Sequence, residues 1–156
     1  MSRLAVKAFV AQQLALLDIP VPLTVLTQRP KEVEVGIHAV VVIELPETKE
    51  MRLTLGRPNG SKKVEHRVSL GIYWMGVDPT TGDRFDELLD QMDDILRTTT
   101  IPVTLTDPQS GSKSQLVWIG EEIETRVHEP LLDESLEGLI VYSAEKTYAV
   151  WEQVTG

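Results

Sequence analysis

Between residues 64 and 98 the hydrophobic period of the chain changes once, and that change restricts the fold more than any other feature. In VEHRVSLGIYWMGV, residues His66, Val68, Leu70, Ile72 and Trp74 fall on one face of an extended chain. Glu65, Arg67, Ser69, Gly71 and Tyr73 fall on the other. Such alternation predicts a long, half-buried strand. DPTTG (78–82) follows as a turn cluster, and then DRFDELLDQMDDILRTT. Here Phe85, Leu88, Leu89, Met92, Ile95 and Leu96 recur at the spacing of one apolar stripe on an amphipathic helix. Thr81 or Asp83 is expected to cap its first turn, and Asp86 and Glu87 suit the positive end of the helix dipole. A long strand, a tight turn and a helix folded back on the sheet form the nucleus of an α+β domain.

The rest of the chain is read around that nucleus. Residues 3–17 place Val6, Phe9, Val10, Leu14 and Leu17 at helical spacing, and Asp18, Pro20 and Pro22 end this first helix. VPLTVLTQRPKE is a loop or short extended piece. In VEVGIHAVVVIEL the odd positions from Val33 to Leu45 are all apolar, and Val40 and Val42 add apolar residues to the other face. That pattern predicts a strand covered on both faces in its second half, either central in a sheet or meeting another subunit. Residues 46–50 read as a charged turn, 51–55 as a short strand, and 56–63 (GRPNGSKK) as an exposed hairpin tip carrying Asn59-Gly60.

After the helix, 101–106 is a strand, 107–114 (DPQSGSKS) a second hairpin tip, and QLVWIGEEIETRVHE one further long strand. PLLDESLEG breaks the sheet between Pro130 and Gly138, and LIVYSAEKTYAVWEQV is the last strand. No internal repeat or domain-dividing linker appears. Residues 1–156 are therefore expected to form a single α+β domain. Its sheet is antiparallel or mixed with long β-hairpins, and the N-terminal helix and a second helix at about 82–98 pack on one face.

Composition narrows the function classes. Hydrophobic residues make up 42% of the 156 and charged residues 25%, the balance of a soluble globular chain. No apolar run approaches the roughly 20 residues of a membrane span. The first helix has Gln12, Gln13 and Asp18 where a secretory signal needs an unbroken apolar centre, and is expected to stay in the mature protein. The absence of cysteine excludes disulfides, thiolate nucleophiles and cysteine metal sites. A net charge of −9 opposes binding of nucleic acid by phosphate neutralisation. It suits a surface that DNA must slide past without sticking.

Candidate chemistry is sparse. Asp83, Asp86, Glu87, Asp90, Asp93 and Asp94 make one carboxylate-rich helix face. Asp86, Asp90 and Asp93 lie on neighbouring turns, where a hard cation would find oxygen ligands. Without the EF-hand loop order, a solvated or electronegative face is the reading adopted. His38, His66 and His128 lie in separate strands, with no second ligand at zinc-site spacing. No serine sits in a G-x-S-x-G elbow, and the 56–62 segment lacks the phosphate-loop order and lies between strands. Trp74, Trp118 and Trp151 punctuate strands, as core packing or partner contacts. The inventory contains no enzyme, no cofactor site and no metal site.

VSLGIYWMG at 68–76, GDRFDELLDQMDDIL at 82–96 and LIVYSAEKTYAVWE at 139–152 carry a resemblance. The order is a leading helix, a long strand, a basic hairpin, a strand with an aromatic-rich end, an amphipathic helix and terminal strands. It is similar to that of the tail terminator (tail completion) proteins of long-tailed bacteriophages, of the lambda minor tail protein type. The resemblance implies a structural virion protein with no catalytic residues. It would form a homohexameric ring that caps the tail tube, halts tube polymerisation and joins the tail to the head connector.

Its implied partners are further copies of itself, the tail tube protein and the head completion or connector protein. DNA would pass through the lumen without specific binding and no membrane would be involved. Its implied place is the tail or neck of the virion, and the host cytoplasm during assembly. Under this reading Arg57, Asn59, Lys62 and Lys63 are candidate partner-docking residues. Asp86, Asp90, Asp93 and Asp94 are a candidate DNA-repelling or interface face. The alternatives are another neck or tail component, such as a head–tail joining protein or a tube subunit, or a small α+β ligand- or metal-binding domain.

Overall fold

The computed structural model describes residues 3–18, 23–28, 39–52, 61–76, 80–98, 103–106, 113–119, 122–133 and 139–155. Two helices, α1 (Arg3–Leu14) and α2 (Thr81–Thr98), lie on one side of a mixed sheet. Its strands are β1 (Leu23–Leu26), β2 (Ala39–Arg52), β3 (Ser61–Gly76), β4 (Val103–Thr106), β5 (Lys113–Ile119), β6 (Glu124–Val127), β7 (Leu131–Asp133) and β8 (Leu139–Thr155). The spatial order is β1-β2-β3-β8-β5-β4, with β6 and β7 also paired to β8. Only β1 and β2 run parallel; the other pairs are antiparallel. This is the α+β, single-domain architecture that the sequence predicts.

The helix stripe is the clearest agreement. Phe85, Leu88, Leu89, Met92 and Leu96 are all buried, and so are Val6, Phe9, Val10 and Leu14 of α1. They meet Val41, Ile43, Val68, Leu70, Ile72, Trp74, Ala144 and Val150 on the helix-side face of β2, β3 and β8. Each such aliphatic or aromatic side chain contributes about 1.5–3 kcal/mol by leaving water. The helix α1 stops at Leu14, short of residue 17. Its last turn tightens, with Leu16 and Leu17 amides donating to the Gln13 and Leu14 carbonyls three residues back. The start of α2 also differs from the expectation. Arg84 N–H donates to the Thr80 carbonyl, which puts Thr80 at the cap position, while Thr81 is buried.

Thr81 is buried because it packs on Gly76 at the end of β3. A Cβ at Gly76 would lie 2.3 Å from Thr81 Oγ1 and 2.6 Å from its Cγ2. Only glycine lets the strand end come this close to the first turn of the helix. Gly76→Ala is therefore expected to cost about 1–3 kcal/mol through displacement of α2. The check is a lower denaturation midpoint; an unchanged one would mean that the strand–helix corner can move freely.

Three strand readings need correction. First, 46–50 is no turn and 51 starts no new strand, because β2 runs unbroken through Arg52. Glu44 pairs with Ser69 and Glu47 with Arg67, so Leu45 and Pro46 together oppose Val68 in a bulge. A proline lacks the ladder donor and is accommodated at a bulge. The Arg3 guanidinium donates to the Leu45 carbonyl beside it. Second, the strand read over 115–129 is two. β5 pairs with β8 near Val150 and Gln153, β6 with Ala144 to Thr147, and Ile123 between them packs against the core. Third, Leu131–Asp133 does not break the sheet but joins it as β7, opposite Leu139–Val141.

The apolar second face of β2 is explained within the chain. Val40 and Val42 are 4% and 5% exposed, and β2 is flanked there by β1 and β3. Beside Val42 in the register, the Tyr73 ring folds over Gly71. No second subunit is needed to bury these valines. The segments 31–38, 53–60, 107–112 and 134–138 lie outside the described residues, and with them the tips of both long hairpins.

Candidate interaction surfaces

Two buried polar pairs cross the helix-side face of β8 and define what that face does. Alternation sends Ala144, Lys146, Tyr148, Val150 and Glu152 inward together, so two charged residues enter the core with the apolar ones. Lys146 Nζ donates to Asp93 Oδ1 at 2.6 Å and to Thr125 Oγ1 at 2.7 Å. Lys146 is fully buried and the Asp93 side chain is 18% exposed. The pair ties α2 to β8 and β6. Further along, His66 Nε2 and Glu152 Oε2 are 2.8 Å apart with both side chains at 0% exposure, and His66 Nδ1 lies 3.1 Å from Thr48 Oγ1. That pair links β2, β3 and β8. Between them the Tyr148 hydroxyl is buried with no hydrogen-bond partner among the described residues, and desolvation pushes its phenol far above the ordinary range. Apart from the Tyr148 hydroxyl, these groups are matched to one another as structural ties.

The carboxylate face of α2 is present but smaller than its sequence suggests. Asp83, Asp86, Glu87, Asp90 and Asp94 are exposed. Asp93 leaves this row, because its side chain turns inward to Lys146 and lies 3.9 Å from Arg97 one turn on. Asp93 therefore drops out of the Asp86, Asp90 and Asp93 set that the sequence places on neighbouring turns. Among the described residues no group of three or more histidines or carboxylates is placed to hold a metal ion.

The docking residues read from the first hairpin separate in the same way. Arg57 and Asn59 lie outside the described residues, while Lys62 and Lys63 already belong to β3, opposite Arg52 and Met51 of β2. Lys63 sits over the Trp151 ring of β8, a cation–π contact that fixes its ammonium on the sheet face. Trp74 is core; Trp151 is half-buried beneath Lys63. His128 is exposed, its backbone N–H donating to the Ser143 carbonyl, and His38 lies outside the described residues.

Sequence reasoning missed a third surface, on the sheet face away from the helices. On the edge of β8 that β5 and β6 share, Tyr148 and Ala149 have no register partner among the described residues, while β3 pairs with them on the other edge. There an open groove of about 370 Å³ forms, lined by Glu65, Arg67, Glu122, Glu124 and Thr147 among others. It is shallow and mixed in charge. The one available signal was the run of charged residues Lys63, Glu65 and Arg67 on the outer face of β3. No helix of the described residues is long and apolar enough to cross a membrane. No protein-family model matches this chain, and comparison with curated proteins finds no match to it.

Proposed function

We propose that this chain is a ring-forming structural protein of a bacteriophage tail, the terminator that caps the tail tube and offers a face to the head connector. The observation that carries the reading is the carboxylate row of α2. Asp83, Asp86, Glu87, Asp90 and Asp94 all face outward on a helix whose other side is anchored in the core. At 1.5 Å per residue the row extends over roughly 16 Å. Such a row, on an element held by its apolar stripe and by Asp93–Lys146, repels phosphate without rearranging. It suits the wall of a passage through which DNA must move without adhering.

Support also comes from the element order. A leading helix, the long β2–β3 hairpin, the amphipathic α2 and terminal strands are the parts that the tail-terminator resemblance requires. In this reading the tube protein and the head connector are the partners, and the hairpin tips read from the sequence at 56–63 and 107–114, the first without Lys62 and Lys63, which belong to β3, are the candidates for docking them. Purified protein is expected to form rings of about six subunits in negative-stain images, with a matching mass in light scattering. A chain that stays monomeric at high concentration, and also in the presence of tube protein, would rule the reading out.

A further inference from the structure

We infer that the exposed ribbon formed by β6 and β7 receives a second copy of this chain, and that the element seated on it is that copy's β2–β3 hairpin at residues 49–52 and 61–63, its far end among the described residues. The inference rests on the ring-forming reading above and supplies its subunit contact.

The ribbon has the features of a contact surface. Among the described strands β6 and β7 pair only with β8, so no described strand uses their outer edges. Every residue from 124 to 132 is exposed. Val127, Leu131 and Leu132 are 55%, 66% and 61% exposed, three large apolar side chains within six positions. Apolar side chains gathered beside an open strand edge are suited to receiving another chain.

Charge selects the occupant. Glu122, Glu124 and Glu129 outnumber Arg126 along the ribbon, so two ribbons facing each other would set carboxylate against carboxylate. From Lys49 and its register partner Glu65 outward, the far end of the hairpin has the opposite sign, with Lys49, Arg52, Lys62 and Lys63 against Glu50 and Glu65, although Lys49 also lies 3.2 Å from Glu47. Among the described strands its edge is open as well, since beyond Val42 β2 pairs there only with β3. Met51, 61% exposed there, supplies an apolar contact for Leu131 and Leu132. The two surfaces lie on opposite sides of the sheet, β2 on one flank of β3 and the ribbon beyond β8. Each copy therefore gives one surface and receives on the other, a head-to-tail contact that repeats around a ring.

The chain has no cysteine, so introduced thiols report alone. Met51→Cys and Leu132→Cys are prepared separately, mixed, and treated with diamide, a thiol oxidant. A disulfide-linked dimer is expected in the mixture and not in either variant alone. Cross-linking that is no greater in the mixture than in the single variants would overturn the inference. In parallel, Leu131→Asp with Leu132→Asp should keep the wild-type circular dichroism while the mass falls to the 17.4 kDa of one chain. If this variant assembles as the wild type does, the ribbon is not the contact and the ring reading stands. If the wild type is itself monomeric at every concentration, with tube protein present as well as alone, both fall.

Discussion

His66→Ala is expected to lower the unfolding free energy by about 3–5 kcal/mol, because it removes the imidazole that faces a fully buried carboxylate. Glu152 has 0% side-chain exposure and its Oε2 lies 2.8 Å from His66 Nε2. Taking one member away leaves the other desolvated without its closest partner, a larger loss than the cavity alone would cause. Replacing both tests the cause. With His66→Leu and Glu152→Leu together no ionisable group remains at this site, which sits among Val64, Val68 and Val150 on the same sheet face. The double variant should recover most of the loss, since apolar replacement of a buried pair is often neutral or stabilising. Chemical denaturation of the wild type, both single variants and the double variant gives the coupling. Additive losses would show that the two side chains are not coupled.

Asp93→Ala and Asp94→Ala are expected to differ by several kcal/mol, although the two residues are adjacent and chemically identical. Asp94 is exposed on α2, and its removal should change stability by less than about 0.5 kcal/mol. Asp93 is the carboxylate on Lys146 Nζ, whose side chain is fully buried, so its loss strands an ammonium in the core. A cost of about 3–5 kcal/mol follows, somewhat less if water reaches Nζ through the 18%-exposed side of the pair. Lys146→Met in the Asp93→Ala background should restore much of the midpoint, because methionine fills the stem's volume without a charge. Equal midpoints for Asp93→Ala and Asp94→Ala would contradict the placement of Asp93, and with it the tie between α2 and β8.

These two pairs also mark where sequence reading stopped. Asp93 belongs by sequence to a run of carboxylates on α2, and nothing local separates it from Asp94. The difference is made by Lys146, 53 residues away, at the one sheet position where alternation brings a cation under that helix turn. His66 was placed correctly on the buried face of its strand. Its partner Glu152 is 86 residues distant, read only as part of a terminal strand. Long-range pairing of this kind has no local signature, since it depends on the register between strands.

What the chain determined by itself is the periodic part. The switch from period two to a helical stripe across 64–98, the apolar face of α1, and the long last strand required only that like side chains fall on one side of a regular backbone. Composition likewise supplied the absence of cysteine and the −9 charge. Tertiary structure decided the rest. It carried β2 through Pro46, because a bulge absorbs the missing donor and Arg3 takes the Leu45 carbonyl. It replaced the single strand read over 115–129 by two and recruited Leu131–Asp133 as a third, because β8 has 17 residues and its outer edge accepts several short partners. Each of these outcomes depends on which strand lies alongside. Hydrogen bonds between strands satisfy backbone groups whatever the side chains, so neighbours in space, and not local pattern, settle where such strands begin and end.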